Sequence, residues 1–286
     1  MNKAKLQMIA SMAIFGTISL FVRGIPLPSA QVALFRAAFA LACLGAMKAV
    51  KKQPMPLKGA GRDAALLFLS GAAMGFNWIF LFEAYRYTSV SVATLSYYFA
   101  PVIVMAASPV LFREKVTRRQ ALCFAGSAAG LALVVNPGGL SGPGEIRGVL
   151  FGLAAAALYA TVILLNKGIR RVSGLDRTML QFAAAAAVLL PYVLLTGEVR
   201  FDVMTPAGWL CLLAVGAVHS TLAYVLYFSA LKQLPGQETA ILSYIDPLVA
   251  VLVSVALLAE PVTALQLAGG AMILGFTLAN ELGSRE

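Results

Sequence analysis

The sequence predicts an all-α polytopic membrane protein with ten transmembrane helices, and its composition is the first reason. Of the 286 residues, 60% are apolar and only 12% are Asp, Glu, Lys or Arg, whereas about a quarter of the residues of a soluble protein are charged. The charged residues lie in short clusters between long apolar runs. Runs such as 182–195 do not alternate apolar with polar residues, which excludes an outer-membrane β-barrel.

Ten apolar segments follow one another along the chain, separated by Pro, Gly, Asn and charged residues. Each is close to the length of about 20 residues that a helix needs to cross a bilayer. They are 6–22, 30–47, 63–84, 89–111, 118–135, 147–166, 176–196, 207–231, 236–258 and 264–281. The first begins like a signal peptide, but no small-residue cleavage site follows Val22, so we interpret it as a retained helix.

The distribution of basic residues predicts the orientation. With a cytoplasmic N-terminus, 17 of the 22 Lys and Arg residues fall on the inner side, as the positive-inside rule requires. The sequence therefore predicts a multi-pass protein of the cell inner (plasma) membrane with both termini in the cytoplasm. This pattern explains the net charge of +10 better than nucleic-acid binding, for which basic residues would gather on one domain.

The two halves of the chain resemble each other at an offset of about 144 to 146 residues. The matches are 23–25 with 167–169, 82–84 with 228–230, 98–101 with 244–247 and 114–117 with 260–263. We predict two repeats, 1–138 and 145–286. Each contains five segments, so the second must insert upside down, as in many secondary transporters. A duplication retained only for packing is the alternative.

These residues resemble the drug/metabolite transporter superfamily, and within it the ten-helix EamA-type family. The resemblance spans nearly the whole chain and is most specific in 84–117 and 230–263, which each contain a proline and end in Glu-x-x-Thr. Ile14-Phe15-Gly16 is similar to the family's aromatic–Gly step. The sequence departs from the family at Arg113 and Ala259, where Gly usually precedes the Glu.

The resemblance implies a secondary transporter that exports amino acids or similar small organic metabolites by alternating access around a midplane cavity. No Walker-type loop is present, so a proton or substrate gradient is expected to drive it, and no cofactor is predicted. The predicted partners are a small-molecule substrate and the lipid bilayer. The sequence leaves a monomer and a dimer both open.

Asp246 and His219 are the candidates for proton coupling and substrate binding. Both lie near the middle of an apolar segment, where a titratable side chain is costly and indicates function. The structural alternatives are that Asp246 caps backbone freed by Pro247 and that His219 bonds across helices. Pro101 and Pro247 occupy matched positions near the centres of two segments and are the candidate hinges.

Polar and aromatic side chains at the same depth predict a cavity for amphipathic molecules. The candidate substrate-binding residues are Asn77, Trp78, Thr94, Tyr97, Tyr98, Tyr159, His219, Tyr224, Ser243, Tyr244 and Asp246. For Asn77 and Tyr159, packing between helices is an equal alternative.

Arg36, Glu83 and Arg86 form a candidate outer gate, because Glu83 and Arg86 are three residues apart on one helix face. The alternative is an interfacial pair that snorkels to the membrane surface. Three GxxxG patterns, 71–75, 126–130 and 148–152, are expected to pack helices within the chain.

Other functions fit the sequence less well. An organic cation or amine is the alternative substrate, since tyrosines and Trp78 can make cation–π contacts. A nucleotide sugar would require basic residues deep in the cavity, and none is expected at the midplane. An embedded enzyme is not expected: one histidine cannot form a zinc-protease motif, and the three cysteines show no disulfide or metal spacing.

Overall fold

A computed structural model describes residues 3–50, 52, 61–112, 117–135, 143–172, 174–196, 200–234 and 236–283. The elements are α1 (Lys3–Gly16), α2 (Ile18–Arg23), α3 (Ser29–Val50), α4 (Gly61–Tyr87), α5 (Val90–Tyr97), α6 (Ala100–Phe112), α7 (Arg118–Val135), α8 (Pro143–Gly168), α9 (Gly174–Thr196), α10 (Pro206–Ala214), a π-helix (Val215–Leu222), α11 (Ala223–Leu231), α12 (Gly236–Ser243), α13 (Ile245–Ala256) and α14 (Ala264–Gly283). The described residues contain no strand, which confirms the all-α class.

Within the described residues, the helices form ten segments that coincide with the ten predicted ones. Seven are long and apolar enough to cross a membrane, and Ile241–Ala256 and Ala264–Asn280 are shorter apolar helices. The chain is thus a multi-pass membrane protein. Glu114 and the predicted boundary between the repeats, near residue 140, lie outside the described residues.

Three segments are broken inside the bundle rather than continuous. Thr17 separates α1 from α2, Tyr98 and Phe99 separate α5 from α6, and Tyr244 separates α12 from α13. Pro101 and Pro247 therefore lie in the first turns of α6 and α13, not at the centres of kinked helices as expected. The first turn tolerates proline because its N–H groups have no intrahelical partner.

The eighth segment contains a π-helix, Val215–Leu222. Three consecutive side chains bond to carbonyls five residues earlier: His219 Nδ1 lies 3.1 Å from Ala214 O, Ser220 Oγ donates to Val215 O at 2.8 Å, and Thr221 Oγ1 donates to Gly216 O at 3.0 Å. These bonds accompany the wider turn. π-turns are rare and frequently occur at functional sites.

The helices α7 and α14 begin with the same reciprocal cap. Gln120 N donates to Thr117 Oγ1 at 3.2 Å, and Thr117 N donates to Gln120 Oε1 at 2.8 Å. Gln266 and Thr263 repeat this arrangement at 3.2 and 2.9 Å. Thr117 and Thr263 are therefore the N-caps of α7 and α14, each as part of a capping box.

Glycines bring the helices into close contact within the chain, as the GxxxG patterns predicted. A Cβ on Gly71 would lie 2.5 Å from Gln181 O on α9, and one on Gly130 would lie 2.7 Å from Gly269 O on α14. A Cβ on Gly148 would lie 2.6 Å from the Thr88 side chain. Small residues at these positions allow backbones to approach, which is the usual basis of helix packing in membranes.

Polar contacts between helix ends and the connections next to them fall into two groups, one at each end of the bundle. In the first, which we call the N-terminal end, Lys5 pairs with Glu238 and Lys48 with Asp176. In the second, the Arg23 end, Arg23 pairs with Glu260, Arg86 donates to Leu27 O and the Arg200 N–H donates to Gln31 Oε1. Every pair joins helix ends or connections on the same predicted side of the bilayer, as expected if successive segments alternate in direction.

Candidate functional site

A central cavity of about 140 Å³ lies where the broken helices meet. Its walls come from α1, α2, α3, α4, α5, α8, α11 and α13. The residues that line it are Phe15, Gly16, Ile18, Arg36, Met74, Asn77, Trp78, Leu81, Tyr85, Thr94, Tyr97, Tyr98, Tyr159, Tyr224, Asp246 and Ala250. The cavity combines one cationic and one anionic side chain with seven aromatic rings.

Arg36 supplies the positive charge, and it is only 5% exposed. Its Nε donates to Ser220 Oγ at 2.8 Å, and its guanidinium carbon lies 4.4 Å from the centre of the Trp78 ring. Ser220 in turn donates to the Val215 carbonyl, so the π-helix holds the hydroxyl that receives Arg36. Among the described residues, neither Nη of Arg36 has a hydrogen-bond partner.

Asp246 supplies the negative charge from the first turn of α13. Its Oδ2 accepts a hydrogen bond from the Tyr98 hydroxyl at 2.5 Å. This bond joins the two helix breaks, because Tyr98 directly follows α5 and Asp246 lies in the first turn of α13. Among the described contacts, the Asp246 side chain bonds only to Tyr98, so the alternative of a backbone cap beside Pro247 is not observed.

Arg36 and Asp246 both line the cavity, yet no ion pair within 4 Å joins them in the described part of the chain. Buried charges are costly unless each has an opposite charge nearby. A ligand with one negative and one positive group would bring an opposite charge to each of these side chains.

Aromatic contacts fix the walls around these charges. Tyr97 packs against Tyr98 and Tyr159, with ring centres 5.9 and 5.4 Å apart. Phe15 meets Tyr224 edge-on at 5.1 Å. Gly16 allows α1 to approach α13 closely, because a Cβ there would lie 2.5 Å from Asp246 O.

Asn77 has the packing role that the sequence left open, while also lining the cavity. Its Nδ2 donates to Ala155 O of α8 at 2.6 Å. The amide therefore ties α4 to α8 next to the cavity. Of the predicted substrate-binding residues, the cavity brings together Asn77, Trp78, Thr94, Tyr97, Tyr98, Tyr159, Tyr224 and Asp246.

The remaining predicted residues lie elsewhere. His219 is 1% exposed, and its Nε2 lies 3.1 Å from Thr17 Oγ1 at the break after α1; it bonds across helices, as the structural alternative predicted. Ser243 donates to Thr239 O at 2.8 Å. With Tyr244 it lies at the α12–α13 break, outside the described cavity lining.

The three residues grouped as an outer gate separate in the structure. Glu83 and Arg86 pair on α4 at 4.0 Å, whereas Arg36 lies in the cavity. The inference that no basic residue reaches this depth was wrong, because a buried hydroxyl and an aromatic face hold the guanidinium inside.

Tyr85 was not among the predicted site residues, yet it lines the cavity and is only 5% exposed. Tyr85 lies near the end of its segment, where tyrosines often lie at the membrane interface, so its sequence position does not indicate a cavity wall. Phe15 and Gly16 were noted only as a family-like step. Their position in an apolar segment gives no signal that distinguishes a cavity wall from packing.

Comparisons with known proteins agree with this architecture. The model of the EamA-like transporter family matches twice, at residues 2–136 and 146–280. An uncharacterized transporter of Archaeoglobus fulgidus is 32% identical over 285 residues, which cover 97% of this chain and 96% of that protein. The chain belongs to the EamA-like transporter family.

Other relatives support the assignment of this EamA-like transporter. The uncharacterized transporter YxxF of Bacillus subtilis is 29% identical over 87% of this chain and 80% of its own. Protein PecM of Dickeya dadantii is 30% identical over 71% of this chain and 69% of its own. A solved crystal structure shares the fold, with a TM-score of 0.69 at 19% identity, covering 100% of this chain and 99% of that one.

Proposed function

We propose that this EamA-like transporter exports small zwitterionic metabolites, amino acids above all, as a secondary transporter that works by alternating access. The observation that carries the proposal is the placement of Arg36 and Asp246 in one cavity without an ion pair between them. A carboxylate on Arg36 and an ammonium group on Asp246 neutralise both buried charges at once. Export, rather than import, rests on the family resemblance.

Cavity size and charge favour this class of substrate over two others. A cavity of about 140 Å³ is smaller than the roughly 300–1,000 Å³ typical of sites for drug-sized ligands, and this disfavours a nucleotide sugar despite Arg36. An organic cation remains the second candidate because Asp246 and the tyrosines suit it. The Trp78 face, however, already carries Arg36, and that positive charge repels a second cation.

Alternating access is supported by the repetition along the chain and by the broken helices. The two stretches that match the family each contain a helix broken next to a proline, at Tyr98–Phe99 and at Tyr244. We propose that these stretches are five-helix repeats inserted with opposite orientations, and that the breaks near Pro101 and Pro247 are the hinges.

Coupling to a proton is part of the same proposal, with Asp246 as the carrier. Asp246 faces the cavity, whereas His219 bonds to Thr17 and Ala214 away from it. A carboxylate that meets both the substrate and water is positioned to exchange a proton during the cycle.

A binding assay with charge-deleted ligands tests the substrate class. Purified protein is titrated with alanine, leucine and phenylalanine, and with the deaminated and decarboxylated analogue of each. Asp246→Asn is expected to weaken amino-acid binding by about 2 kcal/mol or more while sparing the deaminated acids. Arg36→Gln is expected to weaken amino-acid binding similarly while sparing the decarboxylated amines.

Matched controls remove charges elsewhere. Arg200 and Asp202 form an exposed pair at 3.4 Å, so Arg200→Gln and Asp202→Asn are expected to leave binding unchanged. Equal binding of amino acid, acid and amine by the parent protein contradicts the zwitterion proposal. Binding of amines alone, lost in Asp246→Asn, supports the organic-cation alternative.

A further inference from the structure

A network at the Arg23 end joins separate elements through one arginine. Arg23, the last residue of α2, donates from Nε to Tyr85 O at 3.0 Å and from Nη2 to Thr88 O at 2.9 Å. Its Nη1 donates to Glu260 Oε1. One guanidinium thus connects α2, the end of α4 and the connection between α13 and α14.

Glu260 completes the network from the second half of the chain. Its Oε2 accepts from the Val90 N–H at 2.8 Å and from the Ser254 hydroxyl. Its own N–H donates to Ser254 O at 2.9 Å. Glu260 therefore holds the start of α5 and the last turns of α13, and we call this set of bonds the Arg23–Glu260 clamp.

Each of the four elements in the clamp also forms part of the cavity wall. α2 contributes Ile18, α4 contributes Tyr85, α5 contributes Thr94 and α13 contributes Ala250. Thr94 and Ala250 lie four residues, or about 6 Å along the helix axis, from the clamped residues Val90 and Ser254. The clamp thus lies about one turn beyond the cavity.

We propose that the Arg23–Glu260 clamp is the gate that closes the cavity at the Arg23 end, and that substrate passes between α5 and α13 when the clamp opens. This inference rests on the proposed alternating-access cycle and deepens it by naming a gate. The side chains of Arg23 and Glu260 are 29% and 12% exposed. Water can therefore reach the pair and replace its partners when the clamp opens.

The interface between α5 and α13 has a second tie at its cavity end. There the Tyr98 hydroxyl donates to Asp246 Oδ2, while Glu260 joins Val90 to Ser254 at the other end. A cationic group that binds Asp246 competes with Tyr98 for the carboxylate. Substrate binding thus weakens the Tyr98–Asp246 bond and leaves the clamp as the remaining barrier between α5 and α13.

Glu83 and Arg86 supply a natural comparison at the same end. Their side chains pair at 4.0 Å, but both residues belong to α4. Because this pair does not join separate elements, its loss is not expected to open the cavity.

Cysteine accessibility tests the gate without a substrate. The reporter is Ala250→Cys, a cavity position 2% exposed, in a protein whose three native cysteines are replaced by serine. A membrane-impermeant maleimide is applied to intact cells and to inside-out vesicles, so that it reaches each end of the bundle in turn. Glu260→Gln is expected to raise labelling from the Arg23 end about tenfold, because loss of a charged hydrogen-bonding partner shifts a two-state equilibrium on that scale. Glu83→Gln is expected to leave labelling unchanged.

Two results overturn the gate. In the first, the Glu260→Gln variant is labelled at the parent rate from both ends. In the second, Glu83→Gln raises the labelling rate as much as Glu260→Gln does. If Glu260→Gln does not run as a folded protein on size exclusion, Ser254→Ala replaces it, and an unchanged labelling rate there also overturns the gate. Failure of the gate proposal can be distinguished from failure of the substrate proposal. A parent protein that binds no amino acid can still show the labelling increase, and a parent that binds amino acids can lack it.

Discussion

Ala259 has a φ angle of 51°, in the left-handed region that costs an L-residue about 1–2 kcal/mol. This turn places Glu260 where it can reach Arg23, Val90 and Ser254. The Gly that the EamA-type family usually has at this position adopts such a φ without steric cost. The Ala259 that stands in place of this Gly is therefore a point of backbone strain beside the clamp.

The prediction is that Ala259→Gly stabilises the protein by about 1 kcal/mol, because it relieves this strain. Thermal unfolding in detergent measures the change. Ala256→Gly, at the exposed end of α13, is the control and is expected to destabilise the protein by about 0.5–1 kcal/mol. A lower melting temperature for Ala259→Gly would contradict the account.

Sequence reasoning treated the two cavity charges differently. Asp246 was identified because a titratable side chain near the middle of an apolar segment is costly and indicates function. Arg36, about two turns into its segment from the outer side, was grouped with Glu83 and Arg86 as a candidate outer gate. Only the fold shows that Ser220 and Trp78 hold its guanidinium inside.

The π-helix is the element that positions Arg36. Ser220 accepts the Arg36 bond and donates to Val215 O, and Gly216 allows close packing on α3, where an added Cβ would lie 2.6 Å from Phe39. Ser220→Ala removes the acceptor of a buried cation, so substrate affinity is expected to fall by about 1–3 kcal/mol. Direct titration measures the loss.

Thr221→Val is the matched control for that titration. Thr221 bonds to a carbonyl of the π-helix but, among the described contacts, does not touch Arg36, so affinity is expected to stay near the parent value. Equal losses of affinity in both variants would indicate that Ser220 only stabilises the π-helix and does not act by holding Arg36 in the cavity.

The close packing of α7 on α14 leads to a second prediction about individual helices. A Cβ on Gly269 would lie 2.4 Å from Gly130 O, whereas one on Gly275 meets nothing within 4 Å. Gly269→Ala is expected to lower stability by about 1–3 kcal/mol. Gly275→Ala, on the same helix, is expected to leave stability unchanged or raise it by up to about 1 kcal/mol. Melting curves that show the same loss for both variants would contradict the packing.

Hydropathy predicted where the ten helical segments begin and end, but it did not predict the breaks within three of them. A proline in an apolar run predicts a disturbance without saying whether the helix kinks or begins anew. At Pro101 and Pro247 a new helix begins just before the proline. The adjacent polar residues 219–221 were the available signal for the π-helix, and their spacing alone does not distinguish it from an α-helix.

At the scale of the whole molecule, the number and order of segments followed from composition, because a bilayer imposes a length of about 20 apolar residues on each crossing. Which segments pack together did not follow. Nearly every helix is apolar around its circumference, so no face predicts that α4 packs on α8 and α9, or that α1 packs on α11 and α13. The clamp depends on that packing, and no single segment predicts it.

The most direct test of the central claim is flux of labelled amino acids in proteoliposomes that contain the purified protein. The account predicts saturable flux of at least one amino acid by the parent, and loss of that flux in both Arg36→Gln and Asp246→Asn while Arg200→Gln transports normally. Flux in either cavity variant equal to that of the parent, or no amino-acid flux by the parent under any gradient, would contradict it.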